Sequence, residues 1–306
     1  MDIKKIVKKD SSFYFFLKKI KMLYLQFKIG KMTKEELMMY IGKLYKKHIG
    51  KEINWKYPKT YTEKIQYEKI YGNLESKVML ADKYLVREWV ENKIGKEYLI
   101  DLLGIWKNAK DIDFDKLPNK FVLKTNCSSG DVIVVKDKGR LSNRDIKKYK
   151  KKLNYFLKCK YGIDTGEFQY SEMDPVIIAE KYIDSREEDL PDYKFLCFNG
   201  KPYYCWVDIG RYHDHKRNVY NLNWELQAWN QEKYENTSYV IEKPKNFEKM
   251  IEIATKLSEG FAHVRVDLYN IEGQIFFGEM TFTNGSGFEP ILPDEYDTML
   301  GNKWKF

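Results

Sequence analysis

An Asn-Gly pair between two aromatic-rich runs is the sequence feature that most restricts the fold. In YKFLCFNGKPYYCWVD, Asn199 and Gly200 separate the two runs, and this dipeptide favours a two-residue turn with positive φ at both positions. Such a turn joins neighbouring antiparallel strands and fixes their register. A second pair of runs, VRVDLYN and GQIFFGEMT, flanks a turn around 270–273. The sequence therefore predicts a sheet built from antiparallel hairpins.

Helical and β-forming segments occur in separate blocks. Helical spacing predicts helices through the first hundred residues, with Thr33 as an N-cap and Gly72 and Gly95 near two helix ends. One of them, SKVMLADKYLVREWVENKIGKEY, is predicted as a single helix. From about residue 119, β-branched and aromatic runs predict strands at FVLK, DVIVV and PVIIAEKYI, with helices at NRDIKKYKKKLNYFLKCKYG and KPKNFEKMIEIATKLSEG. This arrangement favours an α+β fold over a doubly wound parallel sheet.

Composition indicates a globular protein with a substantial core. The 306 residues are 43% hydrophobic and 16% aromatic, which allows one large domain or two to three small ones. Four cysteines without paired spacing predict a reduced, cytoplasmic protein. The chain lacks a long apolar run and a signal-peptide pattern, so we expect neither a membrane span nor export. The net charge of +9 suits an anionic partner, but no nucleic-acid module is recognisable, and we expect no nucleic-acid binding.

The segment FYFFLKKIKMLYLQFKIGK alternates apolar and basic residues at near-helical spacing. Phe16, Ile20, Leu23 and Phe27 share one stripe of the predicted helix. A basic amphipathic helix of this kind at residues 13–28 can lie on an anionic membrane, which would put the protein at the cytoplasmic face of the inner membrane. Such helices more often pack on their own domain, and both interpretations fit the sequence.

A turn of small residues follows a strand that ends in lysine. In FVLKTNCSSGDVIVV, Lys124 ends the strand, and Ser128, Ser129 and Gly130 form the turn. Small residues allow backbone amides to approach phosphate oxygens, and the lysine adds a compact positive charge. The spacing of a Walker loop is absent, and an ordinary hairpin turn explains the same residues.

Two carboxylates stand in apolar surroundings in the last hairpin, RVDLYNIEGQIFFGEMTFTNGSGFEP. If its loop has an odd number of residues, Asp267 lies diagonally across from Glu279 on one face, which Arg265 and Thr281 share. A shared cation would relieve the repulsion between the carboxylates, and oxygen ligands suit Mg²⁺. A salt-bridged sheet surface is the simpler alternative. A carboxylate pair for glycoside hydrolysis is a third, and it leaves the Lys124 turn unexplained.

With the small-residue turn and the carboxylate hairpin in this order, the chain resembles the ATP-grasp enzymes, and within them the TupA-like ATP-grasp family of bacterial surface-polysaccharide gene clusters. The matching phrases are PKTYTEKIQYEK, LADKYLVREWV, LPNKFVLKTNCSSGDVIVV, DYKFLCFNGKP and VRVDLYNIEGQIFFGEMTFTNGSG, and they cover about residues 58–306. The resemblance implies an ATP-grasp fold, in which two α+β subdomains with antiparallel sheets grip ATP. It divides the chain into a helical N-terminal region (1–57), a second helical region (58–118), a subdomain with the small-residue turn (119–184) and a subdomain with the metal site (185–306).

The resemblance also implies a set of ATP-binding residues. One group contacts the phosphates, and it consists of the lysine and small residues of the turn with a second cation from the helix that opens with DK. Another group contacts adenine through a carboxylate and a backbone hinge, and a third, in the next strand, contacts the ribose and the phosphates. The first group is Lys124, Ser128, Ser129, Gly130 and Lys83 or Arg87, the second is Glu180 with the backbone of Lys181, Tyr182 and Ile183, and the third is Asp192 and Lys194.

The last hairpin would then be the metal and reaction site. Asp267 and Glu279 would bind Mg²⁺, and Arg265 would stabilise the oxyanion at a reacting carboxyl, beside the turn residues Lys124 and Ser129 as further catalytic groups. Many ATP-grasp enzymes have an asparagine two residues after the glutamate as the third ligand. This chain has Thr281 there, with Asn284 three residues further on.

The activity that the resemblance implies is an ATP-dependent carboxylate–amine ligase that works through an acyl phosphate. The acid would be a uronic or amino acid on a capsular or surface glycan, or on its nucleotide- or lipid-linked precursor, and it would be joined to a small amine. Arg211, His213, Asn284 and Ser286 are candidates for substrate binding. The His-Asp-His sequence suits a solvated loop better than a metal site. A glycan kinase with the same ATP site, a glycosyltransferase and a noncatalytic glycan-binding subunit are the alternatives.

Overall fold

A computed structural model describes residues 12–184, 190–211 and 213–306 of the chain. These residues form two compact units. The first unit contains the described residues up to Tyr40, together with Asp82–Tyr84 and Asp101–Tyr182. The second contains Ile41–Ala81, Leu85–Ile100 and the described residues from Ile183 onward. The four contiguous regions implied by the resemblance stay a prediction.

Helices and antiparallel strands alternate in blocks, which confirms the α+β fold class. The helices are α1 (Ser12–Ile29), α2 (Lys34–Ile49), α3 (Tyr61–Tyr71), α4 (Leu74–Ala81), α5 (Val86–Ile94), α6 (Asn143–Leu157), α7 (Phe168–Ser171), α8 (Phe247–Ser258) and α9 (Asp294–Lys303). The strands are β1 (Leu102–Trp106), β2 (Phe121–Thr125), β3 (Ile133–Val135), β4 (Ile177–Lys181), β5 (Asp192–Phe198), β6 (Lys201–Ile209), β7 (Lys216–Asn221), β8 (Asn230–Gln231), β9 (His263–Ile271), β10 (Gln274–Thr281) and β11 (Ile291–Leu292). Over the described ranges, no helix combines the length and the apolar character needed to cross a membrane.

The first unit is built on a four-stranded antiparallel sheet with strand order β1-β4-β2-β3. Helix α6 begins at a capping box, in which the side chains of Ser142 and Asp145 accept from each other's backbone amides. Its Leu153 packs with Phe121 and Leu123 of β2 in the core of the unit. Strand β1 was not predicted, because its LLGIW sequence contains a glycine and forms a partly exposed edge strand.

The second unit is built on a five-stranded antiparallel sheet with strand order β10-β9-β5-β6-β7. Helix α8 covers one face of this sheet, where Phe247 stacks on Phe195 with ring centroids 5.8 Å apart. On the other face, Tyr61 of α3 and Trp304, the residue that follows α9, belong to an aromatic cluster around Phe198. Because both faces are covered, every residue of β5 is buried.

Local turn and cap signals were predicted correctly. Asn199 and Gly200 have φ of 49° and 74°, as a two-residue hairpin turn requires. Thr33 caps α2 through a reciprocal bond with Glu36. The backbone N–H of Gly72 caps the end of α3.

The helix predicted over SKVMLADKYLVREWVENKIGKEY is wrong, because the chain breaks between α4 and α5. Asp82 lies at the break and is buried. Its carboxylate accepts from the backbone N–H of Tyr84 at 2.7 Å and from the Asn126 amide at 2.6 Å. An aspartate that bonds the backbone two residues on offers the chain a turn in place of the next helical bond.

His263 is a buried titratable group in the aromatic cluster. Its Nδ1 lies 2.8 Å from the carbonyl oxygen of Cys197, which can only accept, so Nδ1 carries the proton. Its Nε2 then accepts from the Tyr61 hydroxyl at 3.1 Å. Burial lowers the pKa of His263 to about 3, although the Cys197 carbonyl opposes this shift.

We predict that neutral His263 makes the free energy of unfolding decrease as the pH is lowered. Its pKa is about 6.5 in an unfolded chain and about 3 in the folded protein. The stability it contributes is therefore complete above pH ~6.5 and is lost as the pH falls toward the folded value, at up to about 1.4 kcal/mol per pH unit. Urea unfolding at several pH values measures the slope. His263→Asn should flatten it, and equal slopes for both proteins would contradict the prediction.

Candidate active site

Asp267 and Glu279 lie opposite each other in the hairpin of β9 and β10. The strands are joined by a two-residue turn, Glu272–Gly273, with positive φ at both positions. The loop is therefore even-numbered, not the odd-numbered loop that we required for a shared face. With this turn alone, Glu279 would pair with Val266 and project from the face opposite to Asp267.

A β-bulge at Gly278 restores the shared face. The register shifts by one residue between Phe277 and Glu279, so Glu279 pairs with Asp267 instead. A Cβ at Gly278 would lie 3.0 Å from the Asp267 carbonyl oxygen and 3.3 Å from the Tyr269 ring. The close approach of the two strands at the bulge therefore favours glycine.

The guanidinium of Arg265 joins the side chains of this hairpin. Its Nε donates to Asp267 Oδ1 at 2.6 Å, and its Nη2 donates to Asp267 Oδ2 at 2.7 Å. The same Nη2 donates to Glu279 Oε1 and Thr281 Oγ1, each at 3.0 Å, and Nη1 donates to Asn284 Oδ1. The cation that we expected between the two carboxylates is thus supplied by the chain itself.

Lys194 forms a second ion-pair group on the neighbouring strand β5. Its Nζ lies 2.5 Å from Asp192 Oδ2 and 2.7 Å from Asp267 Oδ2, and the Lys194 side chain is 4% exposed. Arg211 Nη1 donates to the same Asp192 oxygen at 2.6 Å, and its side chain is 42% exposed. The structure therefore brings together three residues predicted for separate roles in ribose, phosphate and substrate binding.

Two further members of this network, not predicted from the sequence, are Asp208 on β6 and Arg217 on β7. Arg217 donates from Nε and Nη2 to the two Asp208 oxygens at 2.5 and 2.7 Å. Its guanidinium lies 3.9 Å from the centroid of the Tyr234 ring. Asp208 follows the apolar run YYCWV, the same signal that identified Asp267, whereas Arg217 lies in the mostly polar strand KRNVYN. We call the whole set the charged face, and it consists of Asp192, Lys194, Asp208, Arg211, Arg217, Arg265, Asp267 and Glu279.

Burial and charge act in opposite directions on the ionisable groups of the charged face. Burial raises the pKa of Asp267, and Arg265 and Lys194 oppose this shift. Burial also raises the pKa of Asp208, but Arg217 outweighs it and holds that pKa well below its usual range. For Arg265, burial lowers the pKa, but the carboxylates, foremost Asp267, raise it well above its usual value. Arg265 therefore stays charged.

The charged face suits a bound cation only at the last hairpin. No group of three or more His, Cys, Asp or Glu side chains is arranged as a metal site in the part of the chain that the structure describes. Asp267 Oδ2 and Glu279 Oε1 nevertheless converge on one atom, Arg265 Nη2. Mg²⁺ needs only one or two carboxylates, because waters and phosphate oxygens complete its shell. The pair fits that ion, and Thr281 and Asn284, which both contact Arg265, stay alternative third ligands.

In the first unit, Lys124 and Glu180 form an ion pair with each other. Lys124 Nζ lies 2.6 Å from Glu180 Oε2, and both side chains are largely buried. They come from β2 and β4, where Glu180 pairs with Val122, two residues before Lys124. The residues predicted for phosphate and adenine binding therefore share one face of the sheet.

The small-residue turn after β2 has a fixed base and an exposed tip. Ser128 is buried, and its Oγ lies 2.8 Å from Thr125 Oγ1, which donates to Asp131 Oδ2 at 2.6 Å. Ser129 and Gly130 are exposed, and Gly130 has a φ of 82°. The hydroxyl of Ser128 therefore stabilises the turn, whereas the backbone at the tip is accessible.

The two alternatives for the second cation lie in different surroundings. Lys83 Nζ donates to the Ser128 carbonyl oxygen at 2.9 Å, so this lysine reaches the small-residue turn. It lies in the break before α5, not inside a helix. Arg87, in the first turn of α5, donates from Nη2 to the Ile100 carbonyl oxygen at 2.7 Å.

The remaining predicted residues lie at the end of β4 and in two loops. The Lys181 N–H donates to the Asp101 carbonyl oxygen at 2.9 Å, so the sheet uses this amide, and Tyr182 and Ile183 follow the end of β4. His213 is exposed in the loop between β6 and β7. Ser286 has a φ of 55°, and its carbonyl oxygen accepts from Lys69 Nζ at 2.5 Å.

Comparison with solved structures finds partial likenesses. A D-alanine–D-alanine ligase from Bacillus anthracis in complex with ATP is 15% identical over 71% of this chain and 57% of that chain, with a TM-score of 0.38. The D-alanine–D-alanine ligase from Helicobacter pylori is 17% identical over 80% and 69% of the two chains, with a TM-score of 0.41. The D-cycloserine synthetase DcsG is 12% identical over 75% and 72%, with a TM-score of 0.36. The chain thus spans little more than half the length of the Bacillus anthracis ligase.

Comparison with protein families gives a match over most of the chain. No curated protein matches it. The model of the TupA-like ATP-grasp family matches residues 63–305, a range that includes the small-residue turn and the β9–β10 hairpin. The chain therefore belongs to the TupA-like ATP-grasp family.

Proposed function

We propose that this chain is an ATP-dependent carboxylate–amine ligase that amidates an acidic sugar or amino acid on a bacterial surface polysaccharide or its precursor. The observation that carries the proposal is the convergence of Asp267 Oδ2 and Glu279 Oε1 on Arg265 Nη2, at 2.7 and 3.0 Å. A carboxylate pair beside a buried guanidinium suits phosphoryl transfer to a carboxyl group. Membership of an ATP-grasp family supports ATP as the phosphoryl donor.

The proposed reaction proceeds through an acyl phosphate intermediate. A carboxylate is a poor electrophile, because attack by an amine would have to expel oxide. A carboxylate oxygen therefore attacks the γ-phosphorus of ATP, the bond to the β–γ bridging oxygen breaks, and ADP leaves. The amine nitrogen then adds to the acyl carbon, loses its proton and displaces phosphate. The products are an amide, ADP and phosphate.

The residues of the first unit would bind the nucleotide. An ammonium has three N–H donors, so Lys124 can keep its bond to Glu180 and still donate to a phosphate oxygen. The exposed amides of Ser129 and Gly130 can donate to further phosphate oxygens. Lys83, already at the turn, would add the second cation. Glu180 and the backbone of 181–183 would contact adenine.

Asp267 and Glu279 would hold Mg²⁺, with Thr281 or Asn284 beside them. When bound, the ion withdraws charge from the phosphate oxygens and orients them for transfer. Arg265 would donate to the oxyanion that develops at the acyl carbon, and its buried position strengthens that interaction. The tip of the small-residue turn would exclude water, which would otherwise hydrolyse the acyl phosphate.

The positive charge of Arg211, at the border of the charged face, favours an acidic acceptor. Arg211 is partly exposed and remains charged, because Asp192 raises its pKa above the usual value. Arg211 and the exposed His213 lie two residues apart on the loop after β6, where they would bind a second acidic group of a glycan. Asn284 and Ser286 would contact the acceptor from the loop after β10.

A mass-spectrometric screen tests the reaction class. The full chain is incubated with ATP, Mg²⁺, uronic-acid glycans and mixed amines. We expect an acceptor mass that rises by the amine minus water, with release of ADP. A rise by one phosphate without an amine requirement would identify a kinase instead and would contradict the ligase proposal.

We predict that Glu279→Gln nearly abolishes turnover of the substrate pair found in that screen. The substitution keeps the shape of the side chain and removes its charge, so we expect ADP release to fall at least about a hundredfold. Glu272→Gln, on the exposed turn of the same hairpin, is the matched control and should behave like the unmodified protein. Normal turnover of Glu279→Gln would remove this residue from the metal site.

We predict that Lys124→Met weakens ATP binding by about tenfold to a hundredfold, because one charge-assisted hydrogen bond is lost. Isothermal titration calorimetry measures the dissociation constant. Lys116→Met, an exposed lysine of the same unit, is the control. Because the variant leaves Glu180 without its lysine, a thermal unfolding curve must first establish that it is folded. Unchanged affinity in the folded variant would exclude the phosphate role.

A further inference from the structure

Helix α1 presents an apolar stripe to the solvent. Four large side chains along it are exposed by about half or more of their surface. They form two pairs four residues apart, at 20/24 and 23/27, which places them on one side of a helix. They are Ile20 (49% exposed), Leu23 (55%), Tyr24 (61%) and Phe27 (64%). We call these four residues the outer stripe. Three of them belong to the stripe noted in the sequence.

The opposite side of α1 packs on the rest of the first unit. Ile29 is buried, and Met22 and Leu25 are partly buried. The helix packs against the turn Ile163–Thr165. Burial raises the pKa of the Cys159 thiol after α6, while the nearby Lys18 ammonium lowers it, so Lys18 also lies on this inner side. The intramolecular packing of α1 is therefore made by a different side, and it leaves the outer stripe exposed.

Lysines flank the outer stripe. At 100° per residue, Lys21 and Lys28 lie along one border of the stripe, and both are exposed. Lys31 follows the helix, and its Nζ lies 4.0 Å from the centroid of the Phe27 ring. The first forty residues contain ten lysines and four acidic residues, so they carry six of the nine excess positive charges of the chain. Charge and exposed apolar surface thus coincide in one short segment.

We propose that α1 docks this protein on an anionic membrane surface, with the outer stripe in the headgroup region and the flanking lysines on lipid phosphates. A large apolar side chain bordered by lysine is the pattern of helices that lie in the membrane plane. A second copy of the chain is a poorer occupant, because two such helices would bring their lysines together. None of the described helices is long and apolar enough to cross a membrane. This docking is independent of the proposed ligase activity.

Vesicle sedimentation of the full chain tests the proposal. Phosphatidylcholine vesicles are compared with vesicles in which about a third of the lipid is phosphatidylserine. We expect binding to the anionic vesicles that is at least about tenfold stronger and that weakens as salt is raised. Equal binding to both compositions, or none to either, would overturn the proposal.

Two pairs of variants locate the contact. Leu23→Ser with Phe27→Ser should reduce binding to anionic vesicles at least about tenfold, because the apolar part of the contact is lost. Lys21→Glu with Lys28→Glu should do the same and remove the salt dependence. Tyr239→Ser with Val240→Ser, two exposed apolar residues of the second unit, is the matched control and should bind normally.

Sedimentation velocity distinguishes the competing occupant. If the outer stripe were an interface between copies, the unmodified chain would be a dimer, Leu23→Ser with Phe27→Ser would make it a monomer, and vesicle binding would not follow the stripe. That result would overturn the proposal. A monomer whose vesicle binding depends on both the stripe and the lysines would support it.

Discussion

The ion pair between Arg265 and Asp267 is the interaction on which the second unit depends. Asp267 accepts two bonds from Arg265 and a third from Lys194. Lys194 also forms an ion pair with Asp192, and Asp192 forms another with Arg211. Removing one partner of such a buried pair leaves an uncompensated charge and costs about 3–5 kcal/mol. A slip of β9 by one residue would turn these charges toward the apolar face under α8, so the network also fixes the register of the sheet.

One face of the five-stranded sheet combines two environments, and β9 crosses the border between them. His263 lies among the rings of Phe198, Tyr61 and Trp304, and Arg265, two residues on, lies in the charged face. The rings exclude water, which keeps His263 neutral and lowers the local dielectric. A low dielectric strengthens the neighbouring ion pairs, and it also raises the cost of leaving any of them unpaired. The aromatic cluster therefore contributes to the electrostatics of the charged face.

Features set by a few neighbouring residues could be predicted from the sequence, and features set by distant contacts could not. The Asn199–Gly200 turn and the Thr33 cap depend on local chemistry and were correct. The break at Asp82 combines a local bond to the Tyr84 amide with a bond to Asn126, more than forty residues away, and the second could not be predicted. The bulge at Gly278 depends on how closely β10 approaches Asp267, so the shared face of the carboxylates was right although the loop length behind it was not.

Distant contacts also limited the prediction of the candidate site. The carboxylates were visible as charges in apolar runs, but their partners come from other strands. Asp208 was missed although it carries the same signal, and Arg217 stands in a polar strand that gives no such signal. For α1, periodicity identified the apolar stripe but could not say which side of the helix packs on the first unit. The residues of the outer stripe face solvent because Ile29 and the turn Ile163–Thr165 occupy the other side.

The donor count of Arg265 decides whether it can both hold the carboxylates and act on a substrate. A guanidinium has five N–H groups: one on Nε and two on each Nη. Nε serves Asp267, and the two N–H groups of Nη2 are shared among oxygens of Asp267, Glu279 and Thr281. Nη1 uses one N–H for Asn284, and these contacts leave its second N–H. Arg265 can therefore keep the ion pair that holds the sheet in register while one N–H donates to a developing oxyanion. If a metal ion replaced its bond to Glu279, the load on Nη2 would fall from three acceptors to two, the number that its N–H groups can serve.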